Sequence, residues 1–106
     1  MKVYKELTLH EGMGLERYLG MLDAVGWEVD NLKAATNLGI LGDAVRGLYK
    51  AAEELDFVSV LRFALGIGER CEVLESCLPS DDWNVICTKG VDDVFEQVAS
   101  ELSKKG

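Results

Sequence analysis

The sequence predicts an all-α fold, a compact bundle of four or five helices, on three observations. Apolar residues recur at alternating three- and four-residue steps in three successive segments, the period of a helix with one buried face. One stripe runs through Leu15, Tyr18, Leu22, Val25, Val29 and Leu32, and a second through Leu38, Leu41, Val45, Leu48, Ala52 and Leu55. A third links Phe57, Val60, Ala64, Ile67, Cys71, Leu74 and Leu78. The chain also has one proline, Pro79, and no low-complexity stretch to interrupt these patterns. Its 106 residues, 48% apolar and 28% charged, suit one globular domain over 1–106 with a single core rather than a disordered chain.

Each element has its own local signals. The first helix is expected from about Gly14 to Val25, with Gly26 as its stop. A second starts at Trp27 or Asp30, where Asp30 or Asn31 can cap the free amides of its first turn. Asp43 suits the N-cap of a segment that ends near Asp56. Ser59 can open a helix that Pro79 terminates. The last helix, 91–104, is the clearest: Val91, Val94, Val98 and Leu102 form its stripe, Asp92 and Asp93 sit at its positive end, and Lys104 and Lys105 at its negative end. Two segments depart from the helical period. "KVYKELTL" (2–9) alternates in part, and "WNVICT" (83–88) is rich in β-formers between Asp-Asp and Lys-Gly. Together they can form a small two-stranded β ribbon beside the helices, which gives an α+β alternative.

The stretch "NLGILGDAVRGL" (37–48) holds three glycines and raises the question of a phosphate-binding loop. Such a loop needs a preceding strand, a glycine turn of set spacing, and a helix whose first N–H groups face the anion. "GILGDAVRG" has neither dinucleotide-binding nor P-loop spacing, Asp43 would repel the phosphate, and "DNLKAATN" before it reads as helix. Gly39, Gly42 and Gly47 are therefore expected to break the helix near 39–42 or to let a neighbouring helix approach closely. Gly66-Ile67-Gly68 in "LGIGERCE" gets the same reading, as a kink or a split in a long helix.

The net charge of −8 argues against binding nucleic acid through its phosphates. Nine acids against Arg70 and Lys89 give residues 69–101 a charge of −7. Most of that is expected to be a solvated face. The sharper alternative is a surface for a basic protein partner, formed by Glu69, Glu72, Glu75, Asp81, Asp82, Asp92, Asp93 and Glu96. "FVSVLRFALGIG" (57–68), the most apolar stretch, contains Arg62 and is shorter than the ~20 residues that span a bilayer. No apolar signal-peptide core follows the start "MKVYKELTLHEG". A soluble, cytoplasmic protein without membrane contact is expected.

Catalytic and metal signatures are weak. Cys71 and Cys77, six residues apart, sit about 120° apart around a helix, and no C-x-x-C occurs. Buried reduced thiols are expected at Cys71, Cys77 and Cys87. His10 is the only histidine, too few nitrogens for a zinc site and far in sequence from any cysteine it might activate. The carboxylates Glu53, Glu54 and Asp56, and Glu69, Glu72 and Glu75, come without the Glu-x-x-His of a di-iron bundle. No cofactor motif is present. Trp27 and Trp83, each among polar neighbours, are expected partly in the core, unless one anchors a partner.

A non-enzymatic interaction module that self-associates and docks a partner protein fits these features best. Eight of the eleven residues from Phe57 to Ile67 are apolar: Phe57, Val58, Val60, Leu61, Phe63, Ala64, Leu65 and Ile67. They cover more than the ~100° stripe that a surface helix needs, so this segment is expected at the centre of a homodimer. Three alternatives carry their own requirements. An acidic inhibitor or nucleic-acid mimic needs the 69–101 carboxylates on one face. A small-ligand-binding bundle needs an enclosed apolar cavity. An enzyme with a reactive cysteine needs a thiol exposed beside a positive group.

Overall fold

A computed structural model describes residues 14–105, and all of its regular structure is helical. Four long helices account for most of it: α1 (Leu15–Glu28), α2 (Leu32–Glu53), α3 (Phe57–Glu75) and α5 (Val91–Lys105). A single turn, α4 (Ser80–Trp83), continues through a π-helical segment, Asn84–Gly90, directly into α5. The all-α bundle follows, and among the described residues there is no strand. Residues 2–9, half of the expected ribbon, and His10 lie outside the described residues.

Local chemistry explains the boundaries. The Asn31 side chain accepts from the amides of Lys33 and Ala34, so Asn31 is the cap that starts α2. Asp56 caps α3 through the amide and hydroxyl of Ser59, so the helix starts at Phe57, two residues before the expected Ser59. Between these helices the chain turns through a Schellman arrangement. Leu55 N–H reaches the Ala52 carbonyl, and Asp56 N–H the Ala51 carbonyl. Leu55 takes the left-handed position with φ 57°, a site that glycine fills without strain.

Several expected breaks are absent. α1 runs past Gly26 to Glu28, and α2 passes without interruption through Gly39, Gly42, Asp43 and Gly47, so Asp43 is not an N-cap. α3 likewise crosses Gly66 and Gly68 intact. The helix-surface reading of these glycines is the one realised at two positions. Gly42 lies against Leu19 and Leu22 of α1, and the Phe63 ring of α3 occupies the space where a Gly47 Cβ would stand. α2 is the central helix, packed on α1, α3 and α5. The core gathers Tyr18, Leu22 and Val25 with Leu38, Leu41, Val45 and Leu48, and with Ile67, Cys71, Leu74, Val94 and Val98. Leu32, counted in the first stripe, is exposed because the break at Val29–Asn31 resets the helical phase.

The 83–88 segment is helical, contrary to its β-rich composition. Asp82, Ile86, Gly90, Val94 and Val98 are all buried, a run of five at four-residue steps. In a regular α-helix each such step drifts about 40° around the axis, about 160° over the run. The wider turns of a π segment take up that drift and keep the run facing the core. Two tertiary hydrogen bonds hold it: Trp83 Nε1 donates to the Cys71 carbonyl at 2.8 Å, and Tyr18 OH to the Ile86 carbonyl at 3.0 Å. Packing and these bonds outweigh β propensity, itself a context-dependent preference.

Candidate functional site

α3 carries two apolar faces. Ile67, Cys71 and Leu74 are buried, and Val60 and Ala64 are half-buried on the same side. At 100° per residue, Phe57, Val58, Leu61 and Leu65 centre about 120° away from that side. These four side chains are between 59% and 70% exposed. Four large apolar residues grouped on one helix face form a patch rather than scattered exposure, and such patches mark interaction surfaces.

The expected self-association segment is thereby divided. Phe57, Val58, Leu61 and Leu65 remain on the outer face. Ile67 is fully buried in the chain's own core and Val60 packs against that core, so neither is available to a partner. Phe63 turns aside to cover Gly47. The alternating period could not reveal this, because a helix apolar on two sides matches several stripes at once.

The acidic residues are divided in the same way. Glu69, Glu72 and Glu75 are exposed, and their mean direction around α3 coincides with that of the outer apolar face. Asp81, Asp92 and Glu96 are exposed on α4 and α5. Asp82 is only 2% exposed and is removed from any partner surface; it occupies a core position of the four-residue run. Asp93 is half-buried near Tyr49, whose hydroxyl donates to Gln97 Oε1 at 2.8 Å. Burial, followed by the Asp93 charge, raises the Tyr49 phenol above its ordinary value.

Of the three thiols expected to be buried, only Cys71 is fully so. All three cysteines are free: Cys71 is buried, Cys77 and Cys87 are half-buried. Cys87 is pushed well up from the ordinary thiol range, first by its hydrogen bond with Cys71, then by burial and the charges of Cys71 and Glu75. That environment disfavours a thiolate. Arg70 is turned inward, donating to Asn37 Oδ1 at 2.9 Å, while Asn37 donates to the Lys33 carbonyl at 2.8 Å. Among the described residues, no three His, Cys, Asp or Glu side chains converge as a metal site would require, and no helix is long and apolar enough to cross a membrane.

Comparison with protein families, characterised proteins and solved structures returns no match.

A second feature was not legible in the sequence. A groove of about 430 Å³ runs between α1 and α2, lined by Leu19, Leu22, Asp23, Gly26, Trp27, Ala35, Leu38, Gly39, Gly42 and Arg46. Four of these are glycine or alanine, and Trp27 is 88% exposed, outside the core expected for it. Trp83, by contrast, is half-buried as expected. Arg46 bonds to Asp43 at 3.0 Å beside the groove. Gly26, Gly39 and Gly42 are its trace in sequence, and pairing α1 with α2 was needed to read it.

Proposed function

We propose that the chain is a non-enzymatic helical interaction module, and that the outer face of α3 is where it docks another polypeptide. One observation carries this: Phe57, Val58, Leu61 and Leu65 stay exposed on a helix that already completes the core with a separate face about 120° around its axis. Leaving that much apolar area in water forgoes about 25 cal/mol per Å², which a partner recovers by covering it. Two occupants fall under the proposal, a second copy of the chain and a basic partner protein. The burial of Cys71, the raised Cys87 thiol and the inward Arg70 support a binding role over a cysteine-based reaction.

The test is the double variant Leu61→Ser/Leu65→Ser, followed by thermal melting and by sedimentation equilibrium across the micromolar range. On a docking face the substitutions leave a cooperatively folded chain, with the stability of the single chain within about 0.5 kcal/mol of the parent's, because surface changes are small. A variant that unfolds places these leucines in the monomer's own packing and ends the proposal. A parent dimer that the variant dissolves establishes self-association through α3. A single-chain mass throughout removes the second copy and leaves the heterotypic partner.

A further inference from the structure

We infer that the full occupant of the α3 outer face is an amphipathic helix of another protein, apolar along one half of its contact stripe and basic along the other. This rests on the docking proposal and specifies the partner.

The two surfaces that sequence treats separately form one continuous strip. Phe57, Val58, Leu61 and Leu65 occupy its amino-terminal half, and Glu69, Glu72 and Glu75 prolong the same azimuth to the end of α3. The helix rises 1.5 Å per residue, so the strip is about 27 Å long. All three glutamates are exposed, and Glu69 and Glu72 form no ion pair with any described residue. Arg70, the nearest basic side chain in sequence, is committed to Asn37.

Charge decides between the occupants. A second copy laid parallel sets three carboxylates against three. Laid antiparallel over the full length, it sets Glu69 beside the exposed Arg62 of the other copy but leaves Glu72 on Leu61 and Glu75 on Phe57, where nothing replaces their lost hydration. Slipped so that only apolar halves meet, the contact spans residues 57–65, about 12 Å of helix. That is less than half of the strip, and it leaves Glu69, Glu72 and Glu75 uncovered. A partner helix with leucine-like residues facing 57–65 and Lys or Arg facing 69–75 covers both halves. The chain's net charge of −8 attracts such a segment from a distance and speeds encounter.

The probe is a synthetic helix-forming peptide with four leucines in one half of its stripe and three lysines in the other. Its control has the same composition with leucines and lysines interleaved. Fluorescence anisotropy titration with the full chain is expected to show the segregated peptide binding about tenfold more tightly, with affinity falling as salt rises. Glu69→Gln/Glu72→Gln/Glu75→Gln is expected to abolish that preference. Should this triple variant bind the segregated peptide as tightly as the parent does, the basic half is refuted while docking on the apolar half survives. Should Leu61→Ser/Leu65→Ser bind undiminished, the docking proposal itself falls. Binding of neither peptide by the parent, or a chain dimer that the peptide cannot displace, overturns the basic helix as occupant.

Discussion

Replacing Gly90 by alanine and Gly39 by alanine is the same chemical change with opposite expected signs. Both glycines lie in helical segments, where alanine is favoured by about 1 kcal/mol. At Gly39 a Cβ meets nothing within 4 Å, so the gain is kept. At Gly90 it would stand 2.7 Å from Tyr18 Cε1 and 2.8 Å from the Val85 carbonyl oxygen. Ordinary carbon contacts lie near 3.5–4.0 Å, so the neighbours must retreat by almost 1 Å. Neither can retreat cheaply. The Val85 oxygen belongs to the π-segment backbone, and Tyr18 is fully buried with its hydroxyl on the Ile86 carbonyl. Overpacking costs about 1–3 kcal/mol, and moving Tyr18 off Ile86 adds about 1 kcal/mol more. Less the propensity gain, Gly90→Ala is expected to destabilise by about 1–3 kcal/mol, a fall of roughly 5–15 °C in Tm. Gly39→Ala is expected to raise Tm by about 3–6 °C. Thermal melts followed by circular dichroism at 222 nm measure both. If Gly90→Ala melts at or above the parent, the close packing of Tyr18 on the π segment is wrong.

Three further outcomes are expected. Leu55→Gly relieves the left-handed backbone strain, about 1–2 kcal/mol for an L-residue, against the greater freedom that glycine has when unfolded; urea titration should show a net gain of about 0.5–1 kcal/mol, and a loss would contradict the strain. Tyr18→Phe removes the hydroxyl's bond to the Ile86 carbonyl at a cost of about 0.5–1.5 kcal/mol. Burial first, then the charges of Cys71 and Cys87, holds the Tyr18 phenol well above its ordinary 10.0. The raised value favours the folded state fully below pH 10 and is lost as pH climbs beyond it, so the phenylalanine variant should show a shallower alkaline decline in stability than the parent. Leu48→Asp and Leu74→Asp each place a carboxylate at a fully buried core position and should unfold most of the chain, because the cost of several kcal/mol rivals a total stability of ~5–15 kcal/mol; cooperative melts like the parent's would put the stripes on the wrong face.

Periodicity and capping are properties of neighbouring residues, so they were readable before any folding. The three-and-four spacing identified α5 and most of the core, including Leu41, Val45, Leu48, Val94 and Val98, whereas α2 was read as two segments divided near Asp43. Asn31 was available as a cap from its side chain alone. Absence of phosphate-loop spacing around Gly42 was equally local, and helix packing took its place. What required the tertiary structure was every choice between faces. α3 is apolar on two sides, and only the positions of its neighbours decide that Ile67 is covered while Leu61 and Leu65 are not. The same holds for the acids: Glu72 and Asp82 are alike in sequence character, yet one meets water and the other the core. "WNVICT" read as strand because its residues favour a half-buried pleated surface. It became a π turn because Trp83 and Tyr18, reaching Cys71 and Ile86 across the fold, reward a widened helix that no short-range pattern encodes.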